Sequence, residues 1–124
     1  MTYEISDAEW RVMHVIWDRQ PVGAHDVVAV LTDSTDWSPA TIKTMLHRLV
    51  KKKILTHASE GNRYIYRAAV KREQCTRLAS LSFLERVFSG ETAPMLACFV
   101  KSGKLSKKDI AQLKQLLDEQ ETGR

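Results

Sequence analysis

The side chains with chemistry to offer crowd between Ser38 and Arg67, and their chemistry is that of gripping a polyanion. This stretch carries seven cationic residues (Lys43, Arg48, Lys51, Lys52, Lys53, Arg63 and Arg67) against a single acid, Glu60. Residues 1–37 carry two cations, Arg11 and Arg19, against seven acids. The net charge of +4 over 124 residues averages that polarity away. Ser38, Thr41, Thr44 and His47 interleave hydrogen-bonding groups with the cations. Ammonium and guanidinium groups neutralise phosphates, while hydroxyls, imidazole and guanidinium also reach base edges.

Other chemistries find less support. His14, His25, His47 and His57 are scattered, and none stands at zinc-type spacing from Cys75 or Cys98. No metal site and no cofactor are expected. There is no Ser/His/Asp signature and no phosphate-cradling glycine loop, so no catalytic residue is nominated. Two cysteines make no disulfide framework. Their simplest reading is as small buried residues. The sharper one is a redox switch, because both lie in the helical second half, where oxidation would disturb subunit packing.

The elements that must position the cationic groups follow from caps and periodicity. Ser6 and Glu9 fit a capping box opening a helix over about Asp7–Arg19, with Trp10, Met13, Ile16 and Trp17 on its apolar face. Gln20-Pro21-Val22-Gly23 breaks the chain. A second helix, about Ala24–Thr32, sets Val27, Val28 and Leu31 on one side. Ser38 as N-cap and Pro39 at the first helical position open a third helix running to about Lys52. Its buried side is Ile42, Met45, Leu46, Leu49 and Val50, which leaves Thr41, Lys43, Thr44, His47, Arg48 and Lys51 free. Trp37, just ahead of this helix, is read as packing rather than stacking on bases.

Leu55–Ser59 and Arg63–Ala69 are expected to be two strands around Glu60-Gly61-Asn62. Tyr64 and Tyr66 share one face and are expected to pack under the hairpin. A lone hairpin is marginal in water, so it must lie on the helices. From about Lys71 the pattern is helical in three pieces, with breaks at Ser89-Gly90 and Ser102-Gly103 and a capping box at Ser106 and Asp109. Leu78, Leu81, Leu84, Phe88, Met95, Phe99, Ile110, Leu113 and Leu117 give these pieces more apolar surface than three short helices can cover. They are the expected dimer interface.

The fold class is therefore mainly α with a small β-hairpin. A winged helix-turn-helix over residues 1–70 is followed by dimerising helices over 71–124. No apolar stretch spans a bilayer, and the opening MTYEISDAEW lacks the basic and apolar regions of a secretion signal. A cytoplasmic location is the expectation.

Three segments, YEISDAEWRVMHVIW, DWSPATIKTMLHRLVKKKIL and RYIYRAAV, carry a resemblance to the BlaI/MecI/CopY family of bacterial repressors. It spans nearly the whole chain and is most specific in the first 70 residues. Ser6 to Trp17 resembles the family's first-helix signature. Trp37-Ser38-Pro39 with Thr41 and Arg48 resembles its recognition-helix signature. The resemblance implies a homodimer on a palindromic operator overlapping a promoter, often rich in TACA/TGTA.

Two departures qualify it. The copper-responsive branch carries paired Cys-x-Cys motifs near its C-terminus, whereas the tail KKDIAQLKQLLDEQETGR has no cysteine. The β-lactam-responsive branch is cut by a sensor protease at an Asn-Phe bond in the fifth helix. The matching position, inside LACFVKSG, is Cys98-Phe99, which keeps the phenylalanine but not the asparagine.

Side chains near the start of a recognition helix reach bases, which nominates Thr41, Lys43, Thr44, His47 and Arg48. Ser38 suits a phosphate at the helix N-terminus. Lys51, Lys52, Lys53 and Arg63 are read as phosphate neutralisers. The leading expectation is a DNA-binding repressor acting as a homodimer, with a sensor protease or redox effector as the candidate releasing partner. The alternative is a winged-helix module that turns its basic face to an acidic protein.

Overall fold

The computed structural model describes residues 3–123. Met1 and Thr2 of the opening segment and Arg124 of the tail lie outside the described residues. The chain forms two compact units, which meet in sequence between Ala79 and Ser80.

The first unit opens with α1 (Asp7–Arg19), whose capping box is complete: the Ser6 side chain accepts from Glu9 N, and the Glu9 side chain accepts from Ser6 N. A two-residue strand, β1 (Val22–Gly23), leads into α2 (Ala24–Ser34), and α3 follows over Pro39–Lys51. The hairpin is β2 (Leu55–Glu60) and β3 (Arg63–Ala68), with Glu60 facing Arg63 and Gly61-Asn62 as the loop. Gly61 has φ +64, the left-handed value that the first loop position of a type II′ turn requires.

The sheet has three strands rather than the two expected. Val22 pairs with Tyr66 and Gly23 with Ile65, giving the order β1-β3-β2 with β3 central. Two residues are too short to show a period, so the sequence around Pro21 signalled only a break. The third strand lies beside the middle of β3 and leaves the tip of the hairpin unpaired on that side. Tyr66, opposite Val22, is 7% exposed, while Tyr64, beyond the end of β1, is 52% exposed and stacks on His57 at 4.8 Å between ring centroids. Only Tyr66 thus packs as expected of the pair, and its burial raises the phenol pKa above its ordinary 10.0.

The core joins all three helices to the sheet: Val12, Met13 and Ile16 of α1, Val27 and Leu31 of α2, Ile42, Met45, Leu46 and Leu49 of α3, then Ile54, Leu55 and Tyr66. Burying each large aliphatic side chain contributes about 1.5–3 kcal/mol. Trp10 and Trp17 do not reach the centre of this core. They are partly buried and flank His14, each 5.7 Å from its ring. Val12 and the acid Glu9 take inner positions instead. Trp37 packs against the core edge, as expected, with the Arg11 guanidinium 5.9 Å from its ring.

The chain continues as α4 (Arg72–Phe88), whose first turns belong to the first unit. The rest of α4, α5 (Thr92–Lys101) and α6 (Lys107–Glu121) make the second. Gly90 and Gly103, at φ +82 and +75, separate these helices, and Ser106 with Asp109 caps α6 reciprocally. From Thr76 to Gly123 no described residue is buried. Among the described residues no helix is long and apolar enough to cross a membrane.

Candidate nucleic-acid interface

Helix α3 is the centre of the site. Ser38 Oγ accepts from Thr41 N at 3.2 Å, which caps the helix, and Pro39 starts it with a preset φ. Ile42, Met45, Leu46 and Leu49 are buried, and at 3.6 residues per turn they occupy one side of the cylinder. Thr41, Lys43, Thr44, His47, Arg48 and Lys51 fall on the remaining arc, and all six are exposed. That arc carries three cations and no acid.

The small polar groups are pre-set by bonds within the helix. Ser38 Oγ and Thr41 Oγ1 lie 3.0 Å apart, and Thr44 Oγ1 donates to the Ala40 carbonyl at 2.9 Å. Donating that proton to the helix leaves the exposed Thr44 hydroxyl oxygen free to accept, suited to a base-edge donor.

The three adjacent lysines at the end of α3 have three different situations. Lys51 is exposed in the last turn. Lys52 turns back: its Nζ donates to Glu9 Oε1 at 2.7 Å and to the Glu4 carbonyl at 2.9 Å. Glu9 is 2% exposed. Burial pushes its carboxyl up, but the bonds from Lys52 and Ser6 and the attraction of the ammonium outweigh that, and the pKa lies below the ordinary 4.5. Lys53 ends the helix in the left-handed region at φ 66. Lys53 N donates to the Val50 carbonyl at 2.9 Å and Ile54 N to the Leu49 carbonyl at 3.0 Å, the paired bonds of a Schellman motif, with Ile54 and Leu49 both buried.

Arg63 is exposed at the first position of β3, its guanidinium near Gly23 at the start of α2. The structure thus brings the nominated α3 groups onto one face, with Lys53 at the helix end and Arg63 on the wing. It commits Lys52 to an ion pair. Sequence reasoning missed the partner acid Glu9, because the capping box already accounted for it.

In the second unit the nominated interface residues Leu78, Leu84, Phe88, Met95 and Leu113 are half-buried, and Leu81, Phe99, Ile110 and Leu117 are exposed. Cys75 is buried, which raises its thiol pKa above the ordinary 9.0, whereas Cys98 is exposed. The Cys98–Phe99 peptide lies inside α5.

Comparison with known proteins matches this architecture. Residues 5–119 match the model of the penicillinase repressor family. The penicillinase repressor of Bacillus licheniformis is 38% identical over 116 residues, covering 94% of this chain and 91% of that protein. The methicillin resistance regulatory protein MecI of Staphylococcus aureus (strain N315) is 32% identical over 117 residues, covering 94% and 95%. The solution structure of the DNA-binding domain of the repressor BlaI superposes with a TM-score of 0.55 at 40% identity, over 58% of this chain and 88% of that one. The monomeric form of Bacillus licheniformis BlaI in complex with the blaP half-operator superposes with a TM-score of 0.52 at 41% identity, over 56% and 85%. The chain belongs to the penicillinase repressor family, a family of transcriptional repressors and not of enzymes.

Proposed function

We propose that this protein represses transcription by laying α3 in the major groove of an operator, as one half of a symmetric pair. The observation that carries the reading is the acid-free, exposed arc of Thr41, Lys43, Thr44, His47, Arg48 and Lys51. An α-helix fits the major groove, where each base pair presents its own donor and acceptor pattern. Thr41, Lys43, Thr44, His47 and Arg48 take the base edges. Ser38, Lys51, Lys53 and Arg63 take phosphates, which adds affinity without sequence preference and makes it salt-dependent. Lys52 supports the helix from behind.

Pairing supplies the selectivity one head lacks. The helical segment without a buried residue supports it, since exposed leucines and phenylalanines at that density gain most from a second copy. Two heads related by a two-fold axis call for a palindrome, with half-site centres about 34–36 Å apart or a multiple of that. The bound dimer then blocks polymerase, in the cytoplasm and without chemistry. Release acts on the arm, by a sensor protease cutting at the Cys98–Phe99 position or by oxidation of the exposed Cys98.

Footprinting with purified protein on a duplex enriched from a random-sequence pool tests the whole reading. It is expected to show a symmetric protected site whose occupancy falls steeply with salt. Absence of any enriched sequence would overturn it in favour of a basic surface for an acidic protein.

A further inference from the structure

The junction between β3 and α4 is tied to α1 at three successive places. Gln20 Oε1 accepts from Ala68 N at 2.8 Å. Trp17 Nε1 donates to the Val70 carbonyl at 3.0 Å. Arg72 Nη2 donates to Asp18 Oδ1 at 2.6 Å and to the His14 carbonyl at 3.4 Å, while its guanidinium carbon sits 5.4 Å from the Trp17 ring centroid. All these groups lie in the first compact unit, and α4 then continues as one helix to Phe88. None of the side chains involved lies on the exposed arc of α3 or on the hairpin, which contributes only the backbone N–H of Ala68.

Folding energetics alone do not account for Arg72. The Asp18 carboxylate is largely exposed, and exposed ion pairs add little to stability. The Arg72 Nε–H is meanwhile buried without a partner, an arrangement that costs stability. A contact of little net worth that fixes a guanidinium at several points acts by geometry. It sets the direction in which the first turn of α4 leaves α1. Joining two binding heads raises affinity by effective concentration only when the connection lets both engage at once.

We propose that Arg72 is a positioning residue for operator reading: braced on Asp18 and Trp17, it sets the direction in which the first turns of α4 leave the first unit, and binding of a symmetric site by two joined copies depends on that direction. The proposal rests on the dimer reading above.

The test compares wild type with Arg72→Ala, Arg72→Lys and Trp17→Phe, the last keeping an aromatic face, though a smaller one, and losing the indole N–H. The probes are the symmetric duplex enriched by wild type, a duplex bearing one of its half-sites, and symmetric duplexes with the half-sites moved apart by one to five base pairs. Arg72→Ala is expected to stay folded and dimeric and to bind the half-site as wild type does. It should lose about tenfold or more on the symmetric duplex and discriminate less among spacings. Trp17→Phe is expected to show the same pattern more weakly, and Arg72→Lys to restore part of the loss. Equal losses on half-site and symmetric duplex, or no loss on either, would overturn the positioning role while wild type sediments as a dimer. A wild type that sediments as a monomer on and off DNA would overturn the dimer reading, and this proposal with it.

Discussion

Lys52 closes on Glu9 at 2.7 Å across 43 residues of sequence, tying the end of α3 to the first turn of α1. The pair fixes the rear of α3 while its other side stays free. Removing the ammonium would leave a nearly buried carboxylate with only the Ser6 N–H. Because the lysine side chain is partly exposed, Lys52→Ala is expected to cost about 1–3 kcal/mol, below the range for a fully buried pair. Chemical denaturation measures it, and an unchanged midpoint would rule out a structural role for this lysine.

The same pair predicts a pH dependence with a definite sign. The Glu9 pKa is lower in the folded state than its ordinary 4.5. Its contribution to stability is therefore fully present above that value and is lost as pH falls through the lower folded value. Glu9→Gln is expected to be less stable at neutral pH and to show a shallower loss of stability in the acid range. Parallel acid-unfolding curves for the two proteins would contradict this.

Lys53 occupies a position where helices commonly place glycine. A lysine at φ 66 is strained, and the paired bonds that end the helix hold it there. Lys53→Gly is expected to raise stability by about 0.5–1 kcal/mol. It should also weaken binding to all duplexes alike and flatten the plot of log affinity against log salt by about one unit. Wild-type affinity in the glycine variant would remove Lys53 from the phosphate contacts.

Arg48 is exposed on the α3 arc and is assigned to a base edge. Arg48→Ala is expected to lose about 1–3 kcal/mol on the enriched duplex and far less on random DNA. Similar losses on both would reassign it to the backbone.

Leu81 is 48% exposed in α4. A charge there is incompatible with an apolar interface, so Leu81→Asp is expected to sediment as a monomer and to bind the symmetric duplex weakly. A dimer of full affinity would move the interface elsewhere.

Neighbours in sequence determined much of this molecule. Ser6 with Glu9, Ser38 with Thr41, and Ser106 with Asp109 start helices through bonds spanning three residues, so their start points are legible locally. The period of Ile42, Met45, Leu46 and Leu49 likewise assigns the free arc of α3 before any partner is known. Tertiary structure decided what depends on groups 43 to 54 residues apart: the Lys52–Glu9 pair, the Gln20–Ala68 and Trp17–Val70 bonds, and the Arg72–Asp18 contact. It also separated Tyr64 from Tyr66, which the strand period treats alike: Tyr66 lies opposite Val22 and is buried, while Tyr64 lies beyond the end of β1 and is exposed. A cap or a period needs only the residues beside it, whereas a distant pairing forms only once the core has closed the loop between its partners.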